Sequence, residues 1–402
     1  MVVGFILSIL HISVNFFWVL FEMNILVLNY EFPPLGGGGG IAAYKLAKGW
    51  VDLGHKVDYI TSWYPGLKQY EQVDGIDVHR VKVLGRQDLS TATMLSMVSY
   101  PVAAYRKAMQ LAKTKQFDWI NTHFAVPTGP AGVWTANALK IPNILSLHGG
   151  DIFDPSKKNS PHKKVYFRRV VKWVLDSADK VVAQSSNTRQ NAIHYYNFHQ
   201  PIQIIPLPYT PVEFATASRI DLQLEESKKY LISVGRLVKR KDYETLIGAL
   251  SMLEGQDIEL LILGEGPELS SLEKTAARLK VDARVRFPGF VDEEKKFQYL
   301  QNADIYVLSS LHEGFGIVLQ EAMQVGLPIV STNIGGQTDF LAERNNALLV
   351  PPKEPELMAE AIDHLLRNAE LRSGMAIKNR EAISKFDVKT ICLRYLDLVG
   401  SH

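Results

Sequence analysis

Between Ile305 and Glu321, a short apolar run is followed by a glycine-containing loop and an amphipathic segment. The stretch reads Ile305-Tyr306-Val307-Leu308, then Ser309-Ser310-Leu311-His312-Glu313-Gly314-Phe315-Gly316, then Ile317-Val318-Leu319-Gln320-Glu321. A short apolar run bounded by polar residues is typical of a buried strand in a parallel sheet, and the last segment has helical periodicity. The stretch therefore predicts a strand, a loop and a helix, which is the repeating unit of α/β folds.

The same unit recurs along the chain. Before this stretch, strands are predicted at 230–234, 259–263 and 285–288, and helices at 243–253, 268–279 and 293–301; after it come a strand at 328–331 and a helix at 356–368. Nearer the start, strands are predicted at 24–29, 56–61, 76–83, 119–123, 143–147, 180–184 and 202–205, and helices at 41–53, 91–113 and 166–177. The sequence predicts an α/β protein of two Rossmann-like, doubly wound domains facing across a cleft, where ligands usually bind.

The predicted domain boundaries follow this alternation. They divide the chain into an apolar leader (1–22), an amino-terminal domain (23–207), a proline-containing linker (208–228), a carboxyl-terminal domain (229–380) and a last helix (381–402) that packs back toward the amino-terminal domain. The leader is about long enough to span a bilayer but lacks the basic flank of a signal sequence. Either Met23 is the true start and the leader is an artefact of gene calling, which we prefer, or the leader is an anchor.

Composition sets broad limits on the function. The chain has 402 residues, 47% hydrophobic and 21% charged, as expected for a globular protein of two domains. Residues 1–207 carry a net charge of +8 and the remainder −6. A basic amino-terminal half suits phosphate groups or an anionic membrane surface, although a chance imbalance between two solvated surfaces is the alternative. The single cysteine, Cys392, excludes an intramolecular disulfide and a cysteine metal cluster.

Two carboxylates and a helix start make the quoted stretch a candidate binding site. Glycines let the backbone approach a ligand, and the amides at a helix N-terminus attract an anion. Glu313 projects from the loop, and Glu321 lies about one helical turn inside the helix. One unit thus offers carboxylates for hydroxyl groups and amides for phosphate. The alternative is a solvated loop glutamate and a glutamate that caps the helix.

A pair of cations follows another predicted strand. Arg236 lies in Val234-Gly235-Arg236-Leu237, and Lys241 comes five residues later. Arginine forms forked hydrogen bonds and lysine supplies a point charge, so the two would clamp a diphosphate and stabilise it as it leaves. Lys239 and Arg240 are expected to be ordinary surface cations.

The order of these motifs resembles glycosyltransferase family 4. The motifs that carry the resemblance are Gly235-Arg236-Leu237-Val238 with Lys241, Gly264-Glu265-Gly266-Pro267, Phe287-Pro288-Gly289-Phe290-Val291, Glu313 with Glu321, Gly335-Gly336, Pro33-Pro34 with five glycines, Gly54-His55-Lys56-Val57, and Leu147-His148-Gly149-Gly150-Asp151. The resemblance covers roughly residues 23–366 and implies the GT-B fold and a retaining mechanism. The chain departs from the family at 206–211, where Asn-Gly-Val-Asp is usual, and at Asp242, where glycine is common.

The resemblance implies a role for each matching residue. Arg236 and Lys241 would hold the diphosphate, Glu321 the ribose hydroxyls, and Glu313 the sugar hydroxyls. The residues Gly314, Phe315, Gly316 and Ile317 would present backbone to phosphate or sugar, and Val291 would meet the base. His148 would lie near the anomeric centre, which gives a catalytic set of His148, Glu313, Arg236 and Lys241. A loop that closes over the phosphates or the acceptor would comprise Gly36, Gly37, Gly38, Gly39, Gly40 and Asp151. The alternative for Asp151 is that it caps the segment that follows it.

The implied activity is transfer of a hexose or N-acetylhexosamine from a nucleotide diphosphate sugar to a hydroxyl group of a glycan or lipid-linked acceptor. The leaving phosphate accepts the proton, so no protein nucleophile is needed, unlike in retaining glycosidases. We expect no cofactor and no metal, because the histidines lack ligand spacing and no Asp-x-Asp element follows a strand. We expect a cytoplasmic enzyme, peripheral on the inner face of the plasma membrane, that binds no nucleic acid.

A basic and aromatic segment between Lys157 and Trp173 suggests how a membrane surface would be contacted. A solvated basic helix is the alternative. Other classes of function stay open: a non-hydrolysing epimerase, a phosphorylase with pyridoxal phosphate, and a non-catalytic nucleotide-sugar binding protein. A nicotinamide dehydrogenase is a weaker alternative, since it leaves Arg236, Lys241 and Glu321 without a purpose.

Overall fold

The structure, a computed structural model, describes residues 21–87, 89, 92–157, 159–255 and 257–400. The expectation for the leader falls mainly on residues 1–20 and lies outside the described residues. The chain divides into two compact units, Met1–Thr210 with Phe386–His402, and Pro211–Lys385. Among the described helices, none combines the length and apolar character that crossing a membrane requires.

The first unit is built on an eight-stranded sheet. Its strands are β1 (Asn24–Leu28), β2 (Lys56–Ser62), β3 (Tyr70–Val73), β4 (Ile76–Val81), β5 (Trp119–His123), β6 (Asn143–Leu147), β7 (Lys180–Ala183) and β8 (Ile202–Ile204). They lie in the order β3-β4-β2-β1-β5-β6-β7-β8, and all pairs are parallel except β3 with β4. Strands β1, β5 and β6 are almost entirely buried, as expected where helices cover both faces of a sheet.

Five helices among the described residues of this unit precede the second unit in the chain. They are α1 (Gly38–Asp52), α2 (Met94–Leu111), α3 (Gly129–Leu139), α4 (Val165–Ser177) and α5 (Ser186–Tyr196). Helix α1 begins inside the glycine run, so the expectation that all five glycines form a loop is wrong for Gly38, Gly39 and Gly40. Glycine is tolerated there because the first turn of a helix has few intrahelical hydrogen bonds to lose.

The second unit contains a six-stranded, all-parallel sheet. Its strands are β9 (Lys229–Val234), β10 (Ile258–Leu263), β11 (Val285–Gly289), β12 (Ile305–Leu308), β13 (Ile329–Thr332) and β14 (Ala347–Val350), and its helices are α6 (Tyr243–Met252), α7 (Leu269–Arg278), α8 (Glu293–Asn302), α9 (Ile317–Val325), α10 (Pro355–Arg367) and α11 (Ala369–Ala382). The spatial order β11-β10-β9-β12-β13-β14 is that of a Rossmann fold. The prediction of two Rossmann-like α/β domains is therefore confirmed.

Much of the stretch predicted as a linker packs against the second unit. Val212 exchanges two hydrogen bonds with the amide of Gln324, at 3.0 and 2.7 Å. Arg219 pairs with Asp304 at 3.1 Å, and Leu222 is buried. These contacts anchor the stretch, because buried apolar groups and paired charges oppose the freedom that a linker needs.

The last helix, α12 (Val388–Val399), belongs to the first unit and packs against α1. The indole nitrogen of Trp50 donates to the carbonyl oxygen of Cys392 at 3.4 Å. A Cβ atom on Gly49 would lie only 2.5 Å from Cys392 Sγ. Glycine at position 49 therefore allows the two helices to approach closely.

Candidate functional site

The second unit places the predicted donor residues at the point where its strand order reverses. Strands β9 and β12 are neighbours in the sheet, and their crossover connections lead to opposite sides of it. Ligands of such sheets bind outside the carboxyl ends of these two strands. Arg236 and Lys241 follow β9 and Glu313 follows β12, so the structure brings residues 72 positions apart to one place.

Glu313 is held by several donors on one carboxylate oxygen. Its Oε1 atom lies 2.7 Å from Lys241 Nζ, 3.2 Å from Arg240 Nη1 and 2.7 Å from Ser310 Oγ. Burial opposes ionisation, but the charges of Lys241 and Arg240 and the hydrogen bonds outweigh it and lower the pKa of Glu313 to about 2. Glu313 is therefore a carboxylate at neutral pH and cannot donate a proton.

Arg240 takes part in this arrangement, which corrects the expectation that it is an ordinary surface cation. Besides pairing with Glu313, its Nη1 atom donates to the carbonyl oxygen of His312 at 2.9 Å. The backbone amide of Leu311 donates to the carbonyl oxygen of Arg240 at 2.8 Å. These contacts join the segment after β9 to the loop after β12. Lys239, in contrast, is exposed.

Glu321 is also paired with a cation, which the sequence did not indicate. It is buried on α9, and its Oε1 atom lies 2.7 Å from Nζ of Lys296 on α8. Because Glu321 and Lys296 stand on different helices, no local pattern predicted the pair. The contact orients the carboxylate that the family resemblance assigns to the ribose.

Glycines bring the backbones after β9 and β10 into contact. A Cβ on Gly264 would lie 2.2 Å from the carbonyl oxygen of Gly235, and one on Gly266 would lie 2.2 Å from that of Leu237. Gly264 also has a φ of +134°, which side chains rarely adopt. The segments around Gly235 and Gly264 therefore pack directly against each other. Arg236, next to Gly235, is exposed to solvent.

The start of α9 faces the same end of the sheet. Gly316 precedes the helix with a φ of +100°, so glycine suits this position. The ring of Phe315 is buried and lies 4.9 Å from that of Phe340, which anchors the loop. Ile317 begins the helix, where the first amides lack intrahelical acceptors. Gly314 lies in the loop before them, and Val291 follows β11 as a half-buried residue.

In the first unit, His148 forms a pair with a second histidine. His148 follows β6, His123 ends β5, and His148 Nε2 lies 2.9 Å from His123 Nδ1. Burial lowers the pKa of His148 to about 4, and burial together with His148 lowers the pKa of His123 well below its usual range. Sequence reasoning missed His123, although its position at the end of a buried strand was a signal.

Asp151 holds the loops that carry this pair. Its two carboxylate oxygens accept from the backbone amides of His148, at 3.0 Å, and Ala125, at 2.7 Å. Burial raises the pKa of Asp151 to about 6 against the lowering effect of these hydrogen bonds. Asp151 thus joins the ends of β5 and β6, and the backbone contacts that it makes are those of a positioning residue.

The glycine run contacts a carboxylate that the sequence analysis did not single out. Glu31 Oε2 accepts from the amide of Gly37 at 3.1 Å, and a Cβ on Gly36 would lie 2.3 Å from Glu31 Cδ. Burial raises the pKa of Glu31. A Cβ on Gly39 would lie 3.5 Å from His148 Nδ1, so the run also borders the histidine pair. The Glu31 carboxyl group already occupies the start of α1, where the amides would otherwise be open to an anion.

No grouping of three or more His, Cys, Asp or Glu side chains suited to a metal ion occurs in the part of the chain that the structure describes.

Comparison with known proteins agrees with this architecture. The family model for glycosyl transferases group 1 matches residues 215–382, and that for glycosyltransferase family 4 matches residues 36–211. The uncharacterized glycosyltransferase MJ1607 of Methanocaldococcus jannaschii is 28% identical over 86% of this chain and 89% of its own length. The 2-deoxystreptamine N-acetyl-D-glucosaminyltransferase of Niallia circulans is 25% identical over 91% of this chain and 98% of its own length. The structure of HepE of Anabaena, solved with UDP and glucose, is similar with a TM-score of 0.75 at 21% identity. The match covers 95% of this chain and 100% of the HepE chain.

The two Rossmann-like units define a protein of the GT-B class. More particularly, the chain belongs to the group 1, family 4-like glycosyltransferases.

Proposed function

We propose that this chain is a retaining glycosyltransferase that moves a hexose or N-acetylhexosamine from a nucleotide diphosphate sugar to a hydroxyl group of a glycan or lipid-linked acceptor. The observation that supports this most is the contact between Lys241 and Glu313 at the reversal of strand order in the second unit. The N. circulans relative is named for transfer of N-acetyl-D-glucosamine, which favours an N-acetylhexosamine, and the structure of HepE with UDP and glucose favours a UDP-sugar donor.

In the proposed donor site, charged side chains already hold one another in place without a ligand. The Lys241 ammonium group has three donors, so it can keep Glu313 and also contact a phosphate. Arg236 and the first amides of α9 supply further donors to the diphosphate, and Glu321 accepts from the ribose hydroxyls. Glu313 accepts from the sugar hydroxyls through the carboxylate oxygen that has fewer contacts. This arrangement stabilises the negative charge that develops as the diphosphate leaves.

We propose that the transfer retains the configuration of the anomeric carbon. Glu313 has a pKa of about 2 and is committed to cations, so it does not serve as a general acid. The bond between the anomeric carbon and the phosphate oxygen breaks, and the acceptor hydroxyl attacks from the same face. Its proton passes to the leaving phosphate oxygen, which balances the step without a protein nucleophile. In the first unit, Glu31 at the start of α1 disfavours a phosphate there, so we assign the glycine run to the acceptor.

The diphosphate assignment is tested with Arg236→Ala, alone and combined with Lys241→Ala. Each lost donor is expected to lower turnover about 100- to 1,000-fold at saturating donor. Arg236 is exposed, so its single variant should keep the fold, and circular dichroism checks the double variant. Lys239→Ala is the matched control, a neighbouring exposed cation, and should turn over normally. Near-wild-type turnover by the double variant would contradict the assignment.

The class of function is tested by a thermal-shift screen with UDP, GDP, ADP and their sugars. A ligand that binds the folded state raises the melting temperature by mass action, so at least one nucleotide should give a shift that Arg236→Ala reduces. Product analysis by NMR then gives the anomeric configuration, for which we expect retention. If every nucleotide leaves the melting temperature unchanged, the assignment is wrong. Nucleotide binding without transfer to any acceptor would favour the non-catalytic alternative.

We also propose that the first unit rests on an anionic membrane surface at the cytoplasmic face. Helix α4 exposes Tyr166 and Trp173 among basic residues. Lys158, which precedes this helix, lies outside the described residues. The ring of Trp134 lies 6.4 Å from that of Trp173 and 6.1 Å from that of Tyr105. These rings connect α4 to α2, which exposes the side chains of Met94, Leu95, Val98 and Val102. Aromatic and apolar groups among cations are typical of a membrane-surface helix.

Liposome sedimentation tests the membrane surface. The protein should sediment with vesicles that contain anionic lipid and much less with neutral vesicles, and added salt should weaken binding. Tyr166→Ser combined with Trp173→Ser should reduce sedimentation. Ile377→Ser, at an exposed apolar residue of the second unit, is the control and should not. Failure to sediment with either kind of vesicle would leave α4 as a solvated basic helix.

A further inference from the structure

An ion pair between two helices of the second unit offers both a hydrogen-bond donor and an acceptor. Lys296 stands on α8 and Glu321 on α9, and Lys296 Nζ lies 2.7 Å from Glu321 Oε1. Both residues are among the first five of their helix. Helices α8 and α9 follow strands β11 and β12, so the helix starts lie at the carboxyl ends of those strands. The pair therefore lies at the edge of the sheet where ligands bind.

The ammonium group of Lys296 is held in place by its neighbours. Besides the contact with Glu321, it lies 4.0 Å from Glu293 Oε1 and 5.3 Å from the centre of the Phe297 ring, which is fully buried. A helix dipole opposes a cation near the helix N-terminus, so Lys296 is unfavourable at this position unless carboxylates compensate it. A side chain that is already held loses less freedom when a ligand binds.

Neither side chain of the pair is sealed from solvent. Lys296 leaves 17% of its side-chain surface exposed, and Glu321 leaves 11%. An ammonium group has three N–H donors, and the contact with Glu321 Oε1 uses one of them. The pair can therefore keep its own contact and still donate a hydrogen bond to a ligand.

The pair also lies near the rest of the proposed donor site, within the same unit. Burial raises the pKa of the Tyr306 hydroxyl group well above its usual range, together with nearby charges that include Glu321 and Glu313. One buried tyrosine is thus within electrostatic reach of both carboxylates. Val291, where the base is expected, precedes Lys296 by five residues. Because the ribose joins the base to the diphosphate, it is the part of the donor expected at the pair.

We propose that Lys296 is a specificity-determining residue that binds a ribose hydroxyl group of the donor together with Glu321. A hydroxyl group both donates and accepts hydrogen bonds. The Glu321 carboxylate accepts from its O–H, and the Lys296 ammonium group donates to its oxygen. A carboxylate alone meets only the first of these needs. This role rests on the proposed function, since it concerns the ribose of the same nucleotide donor.

Nucleotides that lack one ribose hydroxyl group test the contact without an acceptor or turnover. Titration calorimetry of the full chain compares the Kd of UDP with those of 2′-deoxy-UDP and 3′-deoxy-UDP, or of the GDP or ADP series if the thermal-shift screen selects that base. Hydrogen bonds to charged groups are strong, so loss of the contacted hydroxyl should weaken binding roughly 10- to 100-fold. Equal affinity for all three nucleotides overturns the proposal.

Lys296→Met removes the donor and keeps an apolar stem. The preference for the ribonucleotide over the weaker-binding deoxynucleotide should shrink on the order of 10-fold, because only Glu321 then contacts the hydroxyl group. Repulsion between an uncompensated Glu321 and the diphosphate would weaken both nucleotides alike, so it cancels in this ratio. Lys295→Met is the matched control, since its side chain is exposed on the same helix, and it should leave the preference unchanged.

The outcomes separate a binding role from a structural one. If Lys296 only ties α8 to α9, Lys296→Met lowers the melting temperature but keeps the preference, which overturns the proposal. If that variant does not fold, Lys296→Gln replaces it: a neutral amide donates a weaker hydrogen bond, so an unchanged preference is again contrary. Binding of UDP with an unaltered preference contradicts the role of Lys296 alone. Absence of binding by every nucleotide contradicts the proposed function, and this role with it.

Discussion

At the scale of single residues, the environment of Glu313 determines what the proposed donor site can do. One carboxylate oxygen of the buried Glu313 lies close to an ammonium, a guanidinium and a hydroxyl group. Lys241 and Arg240 are neighbouring cations that repel each other, and the Glu313 carboxylate between them offsets that repulsion. The site therefore keeps positive charge at the strand ends before any phosphate arrives.

The low pKa of Glu313 makes a prediction for stability. The carboxyl group titrates near 4.5 when unfolded and at about 2 when folded, so its contribution is complete above pH 4.5 and is lost as pH falls toward 2. The stability advantage of wild type over Glu313→Gln should therefore shrink by about 2 kcal/mol between pH 6 and pH 3. Urea midpoints followed by circular dichroism measure this.

Glu294→Gln is the control for that comparison, because Glu294 is exposed on α8. Its urea midpoints should follow those of wild type at every pH. Parallel curves for wild type and Glu313→Gln would mean that the ion pairs do not hold the carboxylate ionised.

Residue identities could be predicted from sequence, but their partners could not. Arg236 and Lys241 were recognisable because they follow a buried apolar run and Gly235, and Glu313 because it follows another such run and precedes Gly314. The pairing of Glu321 with Lys296, and of His123 with His148, depends on which helices and strands are neighbours. His148 lies 25 positions after His123, and only the parallel register of β5 and β6 brings them together. No local pattern carries that information.

At the scale of elements, the contact of α1 with α12 depends on one missing side chain. Alanine is normally preferred to glycine inside a helix by about 1 kcal/mol. At Gly49, however, the added Cβ would meet Cys392 Sγ at 2.5 Å and Val388 Cγ2 at 3.0 Å. Overpacking of this kind costs roughly 1–3 kcal/mol, so Gly49→Ala should destabilise the protein.

A second substitution tests whether this contact is the cause. Cys392→Ala removes the sulfur atom, so Gly49→Ala combined with Cys392→Ala should be more stable than the sum of the two single changes predicts. Gly374→Ala in α11 is the matched control, because its Cβ would meet nothing within 4 Å, and it should stabilise slightly. Thermal denaturation of the four variants gives the comparison. Strict additivity would show that α1 and α12 are not in contact at this point.

Elements with a strong apolar pattern were the ones that sequence could predict. The buried strands and helices α1, α2 and α4 follow such patterns. Helix α3 was missed because it is rich in glycine and alanine and fits closely onto β5, where a Cβ on Gly132 would lie 2.2 Å from Thr122 Oγ1. Helix α5 was missed because it is mostly polar, although its N-cap Ser185, which accepts from the amide of Thr188, was a signal of a helix start. Strand β3 pairs only at an edge of the sheet.

At the scale of the whole molecule, the two units differ in how the chain builds them. The second unit is one continuous segment, and its main hydrophobic cluster draws on residues between Leu231 and Met375. The cluster of the first unit joins Trp50 and Trp119 to Ile391 and Tyr395. The first unit therefore requires both ends of the chain.

This difference predicts how fragments behave. Residues 211–385 expressed alone should unfold cooperatively, and UDP or the nucleotide preferred by the full chain should raise their melting temperature. Residues 21–210 alone should lack a cooperative transition, and adding 386–400 through a short linker to residue 210 should restore it. Calorimetry of the three fragments decides. A cooperative first unit without α12 would show that this helix is dispensable.

The return of α12 to the first unit also sets the order of events during synthesis. The amino-terminal segments emerge from the ribosome first, but Trp50 and its neighbours cannot be covered until the final residues are made. Translation of the intervening second unit takes on the order of ten seconds or more at usual elongation rates. For that interval the nascent chain carries an open apolar face beside a unit that can already close. The chain is therefore expected to depend on chaperones that hold nascent polypeptides, and to lose yield when its last helix is translated slowly.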